Sequence, residues 1–115
     1  MGKTQSKGQE GEDIAEKYYL SKKYKIVAKN FRCKRGEIDL IFQKDRVLLF
    51  VEVKNRSRRN SLDQFEWVSR IKRARIHRAI RIFESTELAQ QYLAFDRRID
   101  FLLVSEGRVA ERFSE

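Results

Sequence analysis

Apolar positions recur along the chain with two different periods, and the change between them separates helices from strands. Over residues 8–22 the period is helical and acidic residues fill the first turn, which predicts a first helix. Residues 25–31 read as a strand, and residues 33–36 read as a turn. The chain therefore begins with a helix followed by sheet.

From Glu37 the pattern alternates with the period of a strand. The alternation predicts two opposite faces: Ile38, Leu40 and Phe42 on one, and Glu37, Asp39 and Ile41 on the other. Residues 43–45 are expected to form a hairpin turn into a strand over residues 46–55. That strand is almost wholly apolar, which predicts a central position covered on both faces. Its predicted faces carry Val47, Leu49, Val51 and Val53 on one side, and Leu48, Phe50, Glu52 and Lys54 on the other.

A second, long helix is predicted over residues 61–84, with Ser61 as its N-cap. One set of side chains is expected to face the sheet: Phe65, Val68, Ile76, Ala79 and Phe83. Another is expected to face outward or along a groove: Arg70, Arg73, Arg78 and Arg81. A short helical segment over residues 88–93 and strands over residues 98–105 and 108–113 complete the order α-β-β-β-α-β-β. We expect an α/β fold, a mixed sheet flanked by helices.

The length of 115 residues fits a single domain, in which we expect residues 1–8 to be flexible. Cys33 is the only cysteine, which excludes an intrachain disulfide and favours a reducing compartment. We interpret Cys33 as a small apolar side chain near a strand end. No apolar stretch approaches the length of a membrane span, so the sequence predicts a soluble, cytoplasmic protein without a membrane partner.

The net charge of +9 is concentrated in one segment. Between Lys54 and Arg81 there are ten Lys or Arg residues and two acids, whereas the rest of the chain is close to neutral. A basic segment beside a neutral body indicates a surface that binds a polyanion, while a solvated helix face is the alternative. The candidate nucleic-acid contacts are Arg56, Arg58, Arg59, Arg70, Lys72, Arg73, Arg75 and Arg78.

Glu52 and Lys54 are polar residues in an otherwise apolar strand, and they share one face of it. The hairpin should bring Asp39 beside Val51 or Glu52, so that two carboxylates can share one divalent cation. Oxygen ligands of this kind suit Mg²⁺ or Mn²⁺. A cation so held can activate water and, with a lysine, stabilise the charged transition state of phosphodiester hydrolysis. The alternative is a solvated ion pair between Glu52 and Lys54.

Three segments together resemble a known group of enzymes: Glu12 in the first helix, GEIDLI at residues 36–41, and FVEVKNR at residues 50–56. They are similar to the PD-(D/E)XK nuclease superfamily, and most closely to the bacterial YraN family of small uncharacterised proteins related to Holliday-junction resolvases. The resemblance covers most of the chain and includes RRIDFLLV near its end. Ile38 stands where the superfamily name has proline, and RSRRNSLDQFEW stands where relatives carry a glycine-rich loop.

The resemblance implies a restriction-endonuclease-like fold and a metal site in a DNA-cleaving or DNA-binding protein. By this resemblance Asp39 matches the motif aspartate, Glu52 the second carboxylate and Lys54 the motif lysine. Glu12 matches a first-helix glutamate that joins or orients the metal. Resolvase relatives act as dimers, which makes a homodimer one expectation.

Other polar residues are assigned lesser roles by the sequence. Glu37 is expected to contact solvent or to support the metal site from outside. Asp100 is expected to pair with Arg97 or Arg98, and His77 to contact phosphate or solvent. Phe65 and Trp67 are interpreted as core residues more readily than as platforms for base stacking.

Three functions remain open at this point. The first is a divalent-metal-dependent DNA endonuclease, with branched or flapped DNA as candidate substrates. The second is a non-catalytic nucleic-acid-binding protein that retains the nuclease fold. The third is a protein-interaction role, whereas a helix-turn-helix regulator is disfavoured because the core reads as sheet.

Overall fold

A computed structural model describes residues 5–56 and 70–115, except for the side chains of Arg70 and Ile71. The elements in chain order are as follows: α1 Lys7–Ser21, β1 Lys25–Cys33, β2 Gly36–Lys44, β3 Val47–Arg56, α2 Arg70–Glu84, a 3₁₀ helix Leu88–Tyr92, β4 Asp96–Ser105 and β5 Arg108–Ser114. This order is the predicted one, with the short helical segment in 3₁₀ form. Ser61, Phe65, Trp67 and Val68, and with them the predicted start of the second helix, lie outside the described residues.

The five strands form one mixed sheet in the order β1-β2-β3-β4-β5. β3 and β4 run parallel, and each of the other neighbouring pairs is antiparallel. β3 is the central strand, and its residues from Leu48 to Val51 are buried. The central position inferred from its apolar sequence is confirmed.

α1 covers one face of the sheet and begins at a side-chain cap. The Ser6 hydroxyl accepts a hydrogen bond from the Gln9 backbone N–H at 3.1 Å, which satisfies one of the free donors of the first turn. Gly11, Ala15 and Tyr19 are buried at a spacing of four residues, so that a single stripe faces the sheet. A further set of residues completes this core: Leu40, Phe42, Leu49, Val51, Leu102 and Val104.

α2 packs on the opposite face through apolar residues at helical spacing. Ile76, Ala79 and Phe83 are buried there as predicted, and Ile80 joins them. The sheet contributes a second set of residues to this core: Ile38, Ile41, Leu48, Phe50, Ile99, Phe101 and Leu103. The predicted alternation in β3 is confirmed, because Leu48 and Phe50 face α2 while Leu49 and Val51 face α1.

The predicted alternation in β2 is wrong at its start. Ile38 packs with α2, whereas Leu40 and Phe42 pack with α1. The strand therefore changes face at Asp39, opposite the point where Asn30 of β1 has a φ of 53°. That left-handed conformation breaks the regular pleat of β1, and the paired segment of β2 follows it.

The turn between β2 and β3 is shorter than predicted and is shifted by one residue. Lys44 pairs with Val47, which leaves a two-residue loop of Asp45 and Arg46. Both loop residues have positive φ (50° and 61°), as a type I′ turn requires. Gln43 and Lys44, predicted as turn, belong to the strand. The predicted turn at residues 33–36 is found, and Glu106 and Gly107 form the turn between the last two strands.

Among the described residues, no helix is long and apolar enough to cross a membrane.

Candidate metal centre and nucleic-acid interface

The sheet divides into two branches at one end of the hairpin between β2 and β3. These strands pair from the turn as far as Leu40 and Val51. Beyond that point, residues 36–38 of β2 continue beside β1, while residues 52–56 of β3 continue beside β4. The two branches leave between them a cleft of about 280 Å³, here called the acid cleft. The charged residues that line the acid cleft are Glu12, Glu37, Asp39, Glu52, Lys54, Lys72 and Arg75.

Asp39 lies where the branches separate and connects them. Its Oδ2 atom accepts a hydrogen bond from the Val53 backbone N–H at 2.7 Å. The Asp39 carboxylate thus takes the place of the backbone acceptor that the departing strand no longer offers. Only 7 % of Asp39 is exposed, so this hydrogen bond holds the carboxylate in a fixed position.

Three carboxylates meet in the acid cleft. Glu37, Asp39 and Glu52 each offer an oxygen, and these oxygens lie within 4.8 Å of one another. This cluster could hold a metal ion. Among the described residues it is the one such group of acidic, histidine or cysteine side chains, and its oxygen donors are of the type that Mg²⁺ and Mn²⁺ prefer.

Crowding of these acids changes the protonation of Glu52. Burial raises the pKa of Glu52, and a hydrogen bond with Asp39 and the charge of Asp39 raise it further. Two carboxylates this close cannot both ionise easily unless a positive charge lies between them. The pair therefore retains a proton when no cation is bound, and a cation would compete with that proton.

Glu12 reaches the same cleft from α1, although it is outside the group of three. Burial raises the pKa of Glu12, and the negative charge of Asp39 adds to the effect. A hydrogen bond between Glu12 and the Asn30 side chain acts in the opposite direction. Asn30 thus anchors Glu12 at the margin of the cluster, from the same residue at which β1 leaves regular strand geometry.

Positive side chains line the other wall of the cleft. Lys54 follows Glu52 on β3, and Lys72 and Arg75 come from α2. Burial lowers the pKa of Lys72, and the nearby positive charge of Lys54 lowers it further. The cleft therefore combines a carboxylate cluster with cations that can contact a phosphate group.

The remaining predicted nucleic-acid contacts are distributed over different surroundings. Arg56 lines a neighbouring hollow with Asn55, whose side-chain amide donates to the Lys7 carbonyl at 2.9 Å. Arg73 forms an ion pair with Glu115 at 2.6 Å, and Arg78 is half-buried. Arg58, Arg59 and the side chain of Arg70 lie outside the described part of the chain.

His77 and Asp100 lie outside the acid cleft. The His77 Nε2 atom is 2.9 Å from a Glu115 carboxylate oxygen. Asp100 is fully buried and pairs with Arg98 at 3.4 Å, as expected, whereas Arg97 pairs with Glu84.

Glu37 belongs to the carboxylate cluster, whereas the sequence suggested a solvent or supporting role for it. The signal was present, because Glu37 and Asp39 are two residues apart on one strand. Asn30 was missed altogether, since nothing in the sequence around it marks a break in β1.

Comparison with known proteins places the chain in a family. The model of the uncharacterised protein family UPF0102 matches residues 11–104. A UPF0102 protein of Prosthecochloris aestuarii is 36 % identical over 109 residues, which cover 94 % of this chain and 84 % of that protein. A UPF0102 protein of a Sulfurihydrogenibium species is 40 % identical over 97 residues, 84 % of either chain. A UPF0102 protein of Campylobacter fetus is 34 % identical over 102 residues, 89 % of this chain and 86 % of that protein. The chain therefore belongs to the UPF0102 family.

Proposed function

We propose that this chain is a divalent-metal-dependent DNA endonuclease of the PD-(D/E)XK superfamily, acting on branched or flapped DNA in the cytoplasm. One observation carries the proposal. Three carboxylates converge where two strands separate, and Lys54, Lys72 and Arg75 line the same cleft. Carboxylates alone repel a polyanionic substrate. Carboxylates together with basic side chains can bind a phosphate when a cation lies between the acids and that phosphate.

Each residue has a distinct role in the proposed reaction. Asp39, Glu52 and Glu37 would hold Mg²⁺ or Mn²⁺, and Glu12 would support them from α1. A cation held there would supply positive charge to the phosphate and acidify water. Lys54 orients the attacking water or holds the scissile phosphate, while Lys72 and Arg75 hold the DNA backbone.

The Asp39 hydrogen bond supports this assignment over a simple surface ion pair. A carboxylate fixed by the Val53 N–H needs little reorganisation when a cation arrives. The raised pKa of Glu52 is also what a cation-binding carboxylate shows before its cation is bound. A solvated pair of Glu52 with Lys54 would explain neither feature.

The test is cleavage of plasmid, linear duplex, four-way junction and flap DNA with Mg²⁺ or Mn²⁺. Glu52→Gln removes one ligand charge with little change of shape, and we expect it to reduce the cleavage rate by ~100-fold or more. Lys54→Ala should cause a comparable loss. Glu87→Gln, on the exposed residue before the 3₁₀ helix, removes the same charge away from the cleft and should leave the rate unchanged.

Equal cleavage by wild type and Glu52→Gln would contradict the proposal, because the activity would then come from a contaminant. Calorimetric titration with Mn²⁺ tests the cation site separately from cleavage. Salt-sensitive DNA binding without any cleavage would favour a non-catalytic nucleic-acid-binding protein instead.

A further inference from the structure

A second hollow adjoins the acid cleft, and arginines make up half of its lining residues. It has a volume of about 330 Å³ and is here called the arginine groove. Its lining consists of Arg32, Cys33, Arg35, Gly36, Glu37 and Arg75. Glu37 and Arg75 line both the groove and the acid cleft, so the two hollows lie side by side.

The groove is formed by the turn between β1 and β2 and by one turn of α2. Gly36 is buried so closely against α2 that a Cβ atom there would lie 2.7 Å from the Arg75 carbonyl oxygen. The Cys33 thiol contacts the Gly36 carbonyl oxygen at 3.5 Å across the turn. This close packing fixes the turn relative to α2, so Arg32 and Arg35 are held on one side of the groove and Arg75 on the other.

The arginine groove is positively charged and open to solvent. Its three arginines face a single acidic lining residue, Glu37. The Arg32–Glu37 ion pair is long, at 3.9 Å, and the Arg32 side chain is 71 % exposed. An exposed pair at this distance is worth little, so Arg32 can turn to another anion at small cost.

We propose that the arginine groove binds backbone phosphates of DNA next to the phosphate held in the acid cleft. The proposal rests on the proposed function for what occupies the acid cleft. Guanidinium groups pair with phosphate oxygens through two parallel hydrogen bonds, and three of them along an open groove suit an extended polyanion. Arg32 and Arg35 lie outside the basic segment at residues 54–81, so they extend the DNA contact to the opposite branch of the sheet.

The test is a double variant, Arg32→Gln with Arg35→Asn, in a Glu52→Gln background that prevents cleavage during the titration. Asparagine is chosen because Arg35 has a φ of 66°, which asparagine tolerates better than most residues. Binding of a fluorescein-labelled DNA duplex is followed by fluorescence anisotropy over a range of NaCl concentrations. We expect Kd to rise at least about tenfold, and the log–log salt slope to fall by ~1.8 for two lost phosphate contacts.

The matched control is Lys17→Gln with Lys25→Gln, which removes two exposed positive charges from α1 and β1. It should leave Kd and the salt slope nearly unchanged. Equal salt slopes for the groove variant and the control would contradict the proposal that the groove binds DNA. Failure of the wild-type chain to bind duplex DNA would contradict it as well.

Failure of this proposal and failure of the endonuclease proposal can be told apart. A reduced salt slope in the groove variant, with no Glu52-dependent cleavage, would support the groove and contradict the endonuclease. Glu52-dependent cleavage with an unchanged slope would overturn the groove alone. Circular dichroism of both double variants identifies any loss of affinity that comes from unfolding.

Discussion

At the scale of single residues, the site is defined by a carboxylate that is more fixed than its neighbours. Asp39 is bound to the Val53 N–H, so the adjustment to charge falls on Glu52. Burial and the contact with Asp39 raise the pKa of Glu52, which means that the folded chain holds a proton there that the unfolded chain releases. Because of this difference in proton binding, the stability of the folded chain depends on pH.

The first prediction concerns that response. Because the folded-state pKa of Glu52 is raised, the folded chain binds more protons than the unfolded chain above the ordinary pKa of glutamate. Stability therefore falls as pH rises from about 5 to 8. Glu52→Gln removes this loss. We expect the free energy of unfolding of the variant, relative to wild type, to increase by roughly 1–3 kcal/mol between these pH values.

Urea denaturation at each pH, without divalent cations, measures the difference. Glu87→Gln is the control, since the exposed Glu87 should give a profile parallel to wild type. Parallel profiles for Glu52→Gln as well would show that Glu52 titrates normally in the folded chain.

At the scale of elements, the cleft exists because two strands stop pairing. The break coincides with the left-handed backbone of Asn30 and with the change of face at Asp39. Asn30 also forms the hydrogen bond to Glu12, so one residue both shapes β1 and positions a side chain of α1. These two roles can be separated by substitution.

Asn30→Gly keeps the backbone conformation and removes the side chain, whereas Asn30→Ala disturbs both. We expect Asn30→Ala to lower the free energy of unfolding by about 1–2 kcal/mol more than Asn30→Gly does, because alanine is strained at positive φ. Both should weaken Mn²⁺ binding by a similar factor if Glu12 supports the cation. Urea denaturation and calorimetric titration provide the two readouts. Equal stabilities would indicate that the backbone at residue 30 relaxes without cost.

The sequence predicted those parts of the fold that depend on local periodicity. The period-two pattern of residues 47–54 gave the correct faces of β3, and the hairpin brought Asp39 near Glu52 as expected. The face of Ile38 could not be predicted, since it depends on Asn30 in the neighbouring strand. The turn at Asp45 and Arg46 was misplaced because Arg46 stands where the glycine of an Asp-Gly turn usually accepts positive φ.

The site was predicted in part for the same reason. Motif spacing identified Asp39, Glu52 and Lys54, whose positions follow from one hairpin. The arginine groove was not predicted, because Arg35 and Arg75 are far apart in the chain and meet only through the contact at Gly36. Such contacts are non-local, and periodicity carries no information about them.

At the scale of the whole molecule, the face of the sheet that α1 covers contains a second buried carboxylate, on β4 beside Val51 of β3. Asp100 accepts hydrogen bonds from the Tyr19 hydroxyl at 2.8 Å and the Ser114 hydroxyl at 2.7 Å, and it pairs with Arg98. These contacts join α1, β4 and β5. Every contact here is to a donor of the chain itself, which is the mark of a structural carboxylate, in contrast to the crowded acids of the cleft.

Asp100→Ala should lower the free energy of unfolding by about 2–4 kcal/mol, because it leaves two hydroxyl donors and the partly exposed Arg98 without the carboxylate that they contact. Tyr19→Phe removes one hydrogen bond and should cost about 1 kcal/mol. Where the Tyr19→Phe variant is folded, its affinity for Mn²⁺ should equal that of wild type. Urea denaturation and calorimetric titration test both statements, and a loss of cation affinity in Tyr19→Phe would show that Asp100 and the acid cleft are coupled.

The two-residue turn at Asp45 and Arg46 limits which insertions in this hairpin can preserve the acid cleft. Asp39 lies six residues before Asp45, and Glu52 lies six residues after Arg46, about 20 Å along the strands. The strand pairing that begins at the turn therefore sets these two acids opposite each other. A longer loop that keeps Lys44 paired with Val47 would leave the carboxylate cluster in place, since hairpin loops of three to five residues are common. An insertion that shifts the strand pairing by one residue would instead slide one acid past the other. The cluster therefore depends on the register of this hairpin and tolerates only those changes of loop length that preserve it.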